Sequence, residues 1–422
     1  MILQLETNYT SHTRECTRRG PSETESRLTV RDNLSECHHP PILTNAKVTG
    51  KHAFKAPDFK AGDQRGPCPG LNALANHGYI PRNGVVSMAQ AISAINQVYG
   101  MGVDLATILA VMGTVWAGNP LSLNPGFSIG GQTRKVQNLL GNLLGLLGEP
   151  QGLIASHNFI ESDASTTRQD LYLTGDNYRL DMTLFKQWLA VPTDASGSYP
   201  MSSLFSLNKM RFDQSVATNP NFYYGPFTGM IARNAGTFFS GQLMRNFSTT
   251  SGVLDARTVK SFYAVYDKSN GALEYREGHE QIPANWYRRT TDWTLVDFNV
   301  ELLALVAAYP VLGSIGGNMG TVNSFTGVNL GDLTGGLLNA QNLLKGNNLM
   351  CFILQVVKTV SPNSLATIFT TLAKPLSMLT DALRLPLINL ACPAWGDLTL
   401  EGQSLAKALE KKFPGAEGGR VL

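Results

Sequence analysis

Charge is scarce in this chain. Asp, Glu, Lys and Arg make up 15 % of its 422 residues and the formal net charge is +3, so no field is strong enough to make nucleic acid or an anionic membrane surface the main partner. Long apolar runs are missing too. The stretches Leu105 to Trp116 and Leu302 to Ile315 fall short of a bilayer and begin beside Asp104 and Glu301, which reads as buried helix rather than membrane span. There is no P-loop, no Rossmann glycine pattern, no His-Glu-x-x-His and no internal repeat, which removes nucleotide cradles, zincin chemistry and solenoids. Met1 to Thr10 show neither the apolar core nor the small-residue cleavage site of a secretory signal. What remains is a 43 % hydrophobic chain, enough for a sizeable core, whose partner is expected to be a small molecule.

Cysteines are few and odd in number: Cys16, Cys37, Cys68, Cys351 and Cys392. At least one thiol therefore stands outside any intramolecular disulfide. Cys37-His38-His39 reads as a solvated turn, because two adjacent histidines cannot face one ion from a regular element and no second ligand cluster follows. The sequons at Asn8 and Asn246 are too common by chance to set a compartment.

Residues 1–50 are polar and aperiodic and are expected to form a flexible arm; residues 51–400 form the expected domain and 401–422 a C-terminal tail. From residue 85 the apolar spacing is helical. Ser87 is placed to cap a helix with Met88, Ile92, Ile95 and Tyr99 on one face, and Leu105, Ile108, Leu109 and Met112 repeat the period. Val136 to Leu147 makes a third amphipathic stretch, and Leu184 to Leu189, capped by Asp181, a fourth. Residues 311–347 read as a long Gly/Asn-rich connection. Met350 to Ala391 reads as two or three short helices broken at Pro362, Pro375 and Pro386. Strand-like alternation is rare, and the expected fold is mainly α, a single helical domain.

The odd thiol has a distinctive setting. In Gly66-Pro67-Cys68-Pro69-Gly70, Pro69 suits the first turn of a helix, where its missing N–H is no loss, and Leu71, Leu74 and Ala75 continue a helical face. Cys68 then sits at the helix N-terminus, where free N–H groups and the dipole favour a thiolate and lower the thiol pKa. Such a thiolate serves as nucleophile, redox thiol or iron ligand, and a buried cysteine in a tight turn is the plain alternative. His77 and His157 are the bases a nucleophile would need, but no cysteine-hydrolase signature surrounds Cys68, and no Cys-x-x-Cys partner is present.

The run Pro67-Cys68-Pro69-Gly70-Leu71-Asn72-Ala73-Leu74-Ala75-Asn76-His77-Gly78-Tyr79-Ile80-Pro81-Arg82 resembles the proximal segment of the fungal haem-thiolate peroxidases, the chloroperoxidases and long-form unspecific peroxygenases. The resemblance implies a chloroperoxidase-like helical fold. It implies haem b with Cys68 as the axial ligand, whose electron donation assists O–O cleavage of peroxide, and Pro67, Pro69, Leu71 and Asn72 as its neighbours against the cofactor. It implies hydrogen peroxide and a small organic substrate, without nucleic acid or membrane. The likeness runs from about residue 58 to 400, through Asp181 to Trp188, Ala217-Thr218-Asn219-Pro220-Asn221-Phe222 and Leu254-Asp255-Ala256-Arg257. It also pairs Cys351 with Cys392, a closure worth about 4 kcal/mol in the chain-entropy model; such a bridge implies an oxidising, secretory compartment.

Glu161-Ser162-Asp163-Ala164-Ser165-Thr166-Thr167-Arg168 read alone is either a hard-cation site or a capping cluster. It is similar to the family's second signature, Glu-Gly-Asp or Glu-His-Asp followed by Ala-Ser and Thr-Arg. That likeness implies a Mg²⁺ held by Glu161, the Ser162 carbonyl and the Ser165 hydroxyl beside a haem propionate. Ser162 replaces the usual Gly or His, which withholds any help from a distal histidine.

One part of the pattern is missing. Peroxide activation needs a distal acid–base, which long-form peroxygenases supply as a glutamate seven residues beyond an arginine. Thr228 and Asn234 or Ala235 fall at those places, and no Asp or Glu occurs between Gln214 and Leu254. Arg233 and Asn234 are the expected groups for holding peroxide or substrate, although neither is a base near neutral pH. Three readings stay open: an oxidative enzyme of secondary metabolism, resembling in outline the peroxidases of fungal polyketide-toxin clusters, whose base comes from elsewhere or from the substrate; a haem-thiolate enzyme of non-peroxide rearrangement or cyclisation; and a haem-binding protein without turnover. The charged segment Tyr275 to Arg289 holds Glu277 and Glu280 as substitute bases, though as a charge run it reads first as a solvated turn leading to a helix before Trp286. His157 reads as a structural, hydrogen-bonded histidine, and Phe159, Phe222, Phe227, Phe238 and Phe239 as candidates for the pocket wall.

Overall fold

A computed structural model describes residues 44–144, 149–225, 227–328, 342, 345–366, 373–392, 398–400 and 402–416. Cys16, Cys37, the adjacent histidines and the Asn8 sequon lie outside the described residues. Among those described, thirteen α-helices carry the fold and the strands are two or three residues long, so the mainly α expectation holds.

Local chemistry sets the helix starts. Helix α1 is Pro69–Asn76, with Cys68 as its extended N-cap and proline in the first turn. Helix α2, Met88–Tyr99, begins with a full capping box between Ser87 and Gln90, the cap read from sequence. Helix α3, Val103–Ala117, is apolar on nearly every side and buried along most of its length, as a central helix must be; α2 packs along it. Helices α4 (Leu139–Leu144) and α5 (Leu171–Thr174) are short. Asp181 caps α6 (Met182–Leu189) by accepting from the Thr183 and Leu184 N–H groups at 2.7 and 2.9 Å. Helices α7 (Met201–Thr218), α8 (Phe238–Leu243) and α9 (Ala256–Phe262) follow, then α10 (Leu295–Ala308), which opens on a Thr294–Asp297 capping box. The chain ends its helices with α11 (Asn348–Ala366), α12 (Ala373–Asn389) and α13 (Leu405–Lys412).

The strands staple distant segments. In chain order they are β1 (Thr44–Asn45), β2 (Val85–Ser87), β3 (Gly126–Ser128), β4 (Tyr223–Tyr224), β5 (Val265–Asp267), β6 (Leu273–Tyr275), β7 (Tyr287–Arg288), β8 (Gly316–Gly317), β9 (Thr326–Gly327), β10 (Thr399–Leu400) and β11 (Gln403–Ser404). β1 pairs with β7, β2 with β3 and β5 with β6, while β4, β8 and β9 form a three-stranded sheet, all antiparallel. The packing demands glycine at β8: a Cβ on Gly316 would stand 2.1 Å from the Thr326 carbonyl oxygen, and one on Gly317 2.4 Å from that of Phe222. The interior is aromatic, with Trp188, Trp286, Trp293, Phe185, Phe262 and Phe298 almost wholly buried. Each such side chain contributes about 1.5–3 kcal/mol relative to exposure, and the Trp286 indole N–H is satisfied by the Met244 carbonyl at 2.9 Å.

Four expectations are corrected here. Thr44–Asn45, expected in the arm, are paired with Arg288 and Tyr287. The expected tail contains α13, whose Leu405, Ala408 and Leu409 are buried and pack toward α11; four charges on its outer face had masked the period. The prolines do not break the last helices. Pro375 lies in the first turn of α12, where no intrahelical N–H bond is required, Pro386 lies inside α12, and Pro362 falls within α11. The glycine-rich connection lies between α10 and α11 as expected, and its described part contributes β8 and β9 to a sheet. Trp286 leads into β7 rather than opening a helix. Cys351 and Cys392 form the disulfide, their Cα atoms 5.4 Å apart, tying the start of α11 to the chain leaving α12.

Candidate functional site

Helices α1 and α3, the segment 160–168 and the run from Phe227 to Met244 enclose a cavity of about 250 Å³ whose walls are mostly hydrocarbon. Cys68 lines it together with Pro67, Pro69 and Leu71, and Cys68 is the free cysteine among the described residues. Its partial exposure faces this cavity. The N–H groups of Leu71 and Gly70 point at the sulfur, as the helix-end argument requires, and Arg168 adds a favourable charge, but burial outweighs them and pushes the thiol above its usual range. The expectation of a lowered thiol pKa is thus overturned: desolvation wins over the helix end. A cation bound at the sulfur would reverse that balance, because metal coordination deprotonates a thiol.

Asn72 does not reach the cavity. Its Nδ2 donates to the Gly66 carbonyl and to Glu280 Oε1, both at 2.9 Å, and its Oδ1 accepts from the Gly66 N–H at 3.1 Å. It is a clamp behind Cys68, not a wall residue. Glu280 is correspondingly no surface group: it is 1 % exposed, whereas Glu277 pairs with Arg179 at the surface. The solvated-turn reading holds for Glu277 and fails for Glu280. His77 is also structural, its Nδ1 bonded to the His52 carbonyl and its Nε2 accepting from the Ile282 N–H at 3.1 Å.

A further wall, which touches the Glu161 segment where Gly236 meets Thr166, is an irregular helix. A π turn at Thr228–Ala232 passes into a 3₁₀ turn at Arg233–Gly236 and then α8, an arrangement found often at functional sites. Ala232, Ala235, Gly236, Phe239, Ser240 and Leu243 face the cavity at helical spacing. The predicted pair Arg233 and Asn234 divides. Arg233 reaches the wall, but its guanidinium is engaged: it donates to the Gly229 carbonyl, to Asn208 Oδ1 and to the Leu312 carbonyl, and lies 4.3 Å over the Tyr224 ring. Asn234 turns inward, donating to the Met230 carbonyl at 2.7 Å and accepting from Asn208 at 2.9 Å, and is withdrawn as a peroxide-binding group. Phe227 and Phe239 line the cavity, whereas Phe222 and Phe238 belong to the core and Phe159 packs on Trp116.

Glu161, Ser162 and Ser165 stand together on the wall with Thr166, Thr167 and Arg168. Glu161 Oε2 is already occupied: it lies 2.7 Å from His157 Nδ1 and accepts from Asn177 Nδ2. Burial works against the His157 imidazolium, but the charge and hydrogen bond of Glu161, with Asp163 and Asp170 beyond it, lift its pKa to about 9. His157 is therefore the hydrogen-bonded structural group expected. Asp163, fully buried beside Asp170, is pushed well above the carboxylate range, mainly by burial. The implied Mg²⁺ gains no support here: Glu161 Oε2 already meets His157 and Asn177, and no group of three His, Cys, Asp or Glu side chains is placed for a metal among the described residues.

A haem fits better. The cavity offers one soft sulfur donor, hydrocarbon walls, and at one edge a buried arginine without an ion pair among the described residues. That is Arg168, 3 % exposed, whose hydrogen bonds go to the Tyr178 carbonyl and the Thr167 hydroxyl. A spare guanidinium beside the Thr166 hydroxyl, itself buried without a partner, suits an anionic carboxylate of a bound group. Nothing in the sequence singles out Arg168; a buried arginine with no acid within ion-pair distance among the described residues becomes visible only in three dimensions.

Comparison with other proteins supplies the last observation. A family model described as "Peroxidase, family 2" matches residues 52–291. The chain is 53 % identical over 403 residues, 93 % of its own length and 92 % of the other, to the aromatic peroxidase fscJ of Fusarium equiseti. It is 42 % identical over 320 residues, 75 % of this chain and 74 % of the relative, to the dothistromin biosynthesis peroxidase dotB of Dothistroma septosporum. An aromatic peroxygenase of Cyclocybe aegerita is 30 % identical over 291 residues, 67 % and 69 % of the two chains.

Proposed function

The chain belongs to the fungal haem-thiolate peroxidase family, and we propose that it is a haem-thiolate oxidoreductase that uses hydrogen peroxide on a small aromatic substrate of secondary metabolism. The observation that carries this reading is the free Cys68 sulfur, set at a helix N-terminus in the wall of a hydrocarbon cavity. When bound, the haem iron supplies the peroxide chemistry, with the thiolate as its electron-donating ligand.

The chain's own residues do the rest. Pro67 and Pro69 hold the Cys68 backbone extended so that its sulfur faces the cavity, and Arg168 holds an anionic edge of the cofactor. Phe227, Phe239 and Leu243 exclude water and give a flat aromatic substrate an apolar bed. Proton handling falls to Glu161, the one carboxylate lining the cavity among the described residues, whose Oε2 is held in place by His157 Nδ1 behind it. The substrate class rests on the aromatic walls and on the relatives named for aromatic and dothistromin chemistry. The Cys351–Cys392 disulfide supports folding in an oxidising compartment of the secretory pathway.

The test is peroxide-dependent oxidation of phenolic and polycyclic aromatic reporters by fully haem-loaded protein. Turnover is expected; none at saturating peroxide would overturn the peroxide reading and favour a rearrangement in the same cavity, the outcome that a distal wall without a carboxylate leaves in view.

A further inference from the structure

Behind α1, on the side away from the cavity, the irregular segment from Gly278 to Ile282 is stitched to the helix by three side chains. Asn72 Nδ2 donates to Glu280 Oε1 at 2.9 Å. Asn76 Nδ2, one turn later, donates to the Gly278 and Glu280 carbonyls at 2.7 and 2.9 Å. His77 Nε2 accepts from the Ile282 N–H. A buried carboxylate was not needed for that stitching, since an amide or hydroxyl could accept from Asn72 at far lower desolvation cost. Yet Glu280 is 1 % exposed, has no ion pair within 4 Å among the described residues, and leaves Oε2 without any hydrogen-bond partner. An unpaired, half-satisfied acid in the core is the kind of group that calls for a reason.

The other end of the chain of bonds supplies one. The same Asn72 amide grips both the N–H and the carbonyl of Gly66, two residues before Cys68, and Gly66 itself is pressed so close to Ile129 that a Cβ would stand 2.1 Å from its carbonyl oxygen. Cys68 is thereby fixed from behind, with the buried Glu280 carboxyl one amide away from the Gly66 backbone that leads into it. We propose that Glu280 is a positioning residue for the cysteine ligand: through Asn72 it fixes the loop that presents the sulfur, and its buried charge keeps electron density on that sulfur. This goes beyond the assignment of Cys68 as iron ligand and rests on it. Negative charge near a thiolate makes it a stronger donor and disfavours the added electron of reduced iron.

The experiment is the Fe(III)/Fe(II) reduction potential and the ferrous–carbon monoxide spectrum of the holoprotein, compared between wild type and Glu280→Gln at pH 8.5 and 5.5. Gln keeps the acceptor for Asn72 and removes the charge. At pH 8.5 the variant is expected to show a higher potential than wild type with the thiolate-type spectrum retained. At pH 5.5 the two converge, because burial places the Glu280 carboxyl at about 7 and it is neutral there. The other ionisable groups around it are Arg65, Arg168, Tyr99, Tyr266, Tyr275, the Cys68 sulfur and, on α1, a His77 whose pKa burial lowers. All are shared by both proteins and cancel in the difference. Equal potentials at pH 8.5 would overturn the proposal and leave Glu280 a structural brace. If Glu280→Gln fails to accumulate, Glu280→Asp decides: keeping the charge, it is expected to hold the wild-type potential, and a rise would count against the charge. A wild type without a thiolate-type spectrum would instead sink the Cys68 assignment, a separate and recognisable failure.

Discussion

At the scale of single residues, Glu280 gives the sharpest pH prediction. Its carboxyl lies at about 7 in the fold against an ordinary 4.5, chiefly through burial, so folding favours the protonated acid. That contribution is whole below pH 4.5 and is lost as pH rises through 7, about 3 kcal/mol in all. Urea denaturation of the protein should show this loss between pH 5 and 8.5, and Glu280→Gln should lack it; an unchanged pH profile in the variant would contradict the buried-acid account. Glu161 gives a prediction about rate: Glu161→Gln is expected to lower kcat by about 10² to 10⁴ with KM little changed, whereas wild-type kcat would remove Glu161 from proton handling. Cys68 at a helix start was legible in the sequence because proline, helix start and thiol are local signals, whereas its choice as ligand with Pro67, Pro69 and Leu71 as neighbours came from the family resemblance of the run around it. Asn72, Asn234 and Glu280 were not, since a side chain's choice between cavity and core depends on segments 26 to 208 positions away.

The elements were legible wherever a cap or a sustained period marked them. Ser87 and Asp181 announced α2 and α6. The prolines of α12 misled because the cost of proline vanishes in a first turn and is outweighed elsewhere by packing, and α13 was missed because eight residues with four charged groups carry too short a pattern. Helix α1 matters most to the site, and its seat depends on Asn76, which donates to two carbonyls and accepts from Arg65 Nε at 2.9 Å. Asn76→Ala leaves all three unsatisfied in the core. The expected loss is about 2–4 kcal/mol by urea denaturation, and a loss under about 0.5 kcal/mol, the range of ordinary surface changes, would show that the stitching is redundant.

For the molecule as a whole, the disulfide joins the start of α11 to the chain leaving α12, two helices that pack on each other, α12 also on α3, and whose ends share the hydrogen bond from Asn347 Nδ2 to the Leu390 carbonyl. A closed loop of 41 residues stabilises by about 4 kcal/mol through the unfolded chain, so reduction should lower Tm by several degrees while the thiolate spectrum persists; an unmoved Tm would deny the bridge that role. The whole-molecule architecture was readable as mainly α, but the cavity was not, because it is assembled from many separate segments between residues 67 and 263. Everything functional here converges on one sulfur. The most direct measurement is therefore haem titration with the ferrous–carbon monoxide spectrum, on wild type and on Cys68→Ala. The account predicts one haem per chain and a thiolate-type Soret band in the wild type, with that band lost in the variant; the same band in both proteins would contradict it.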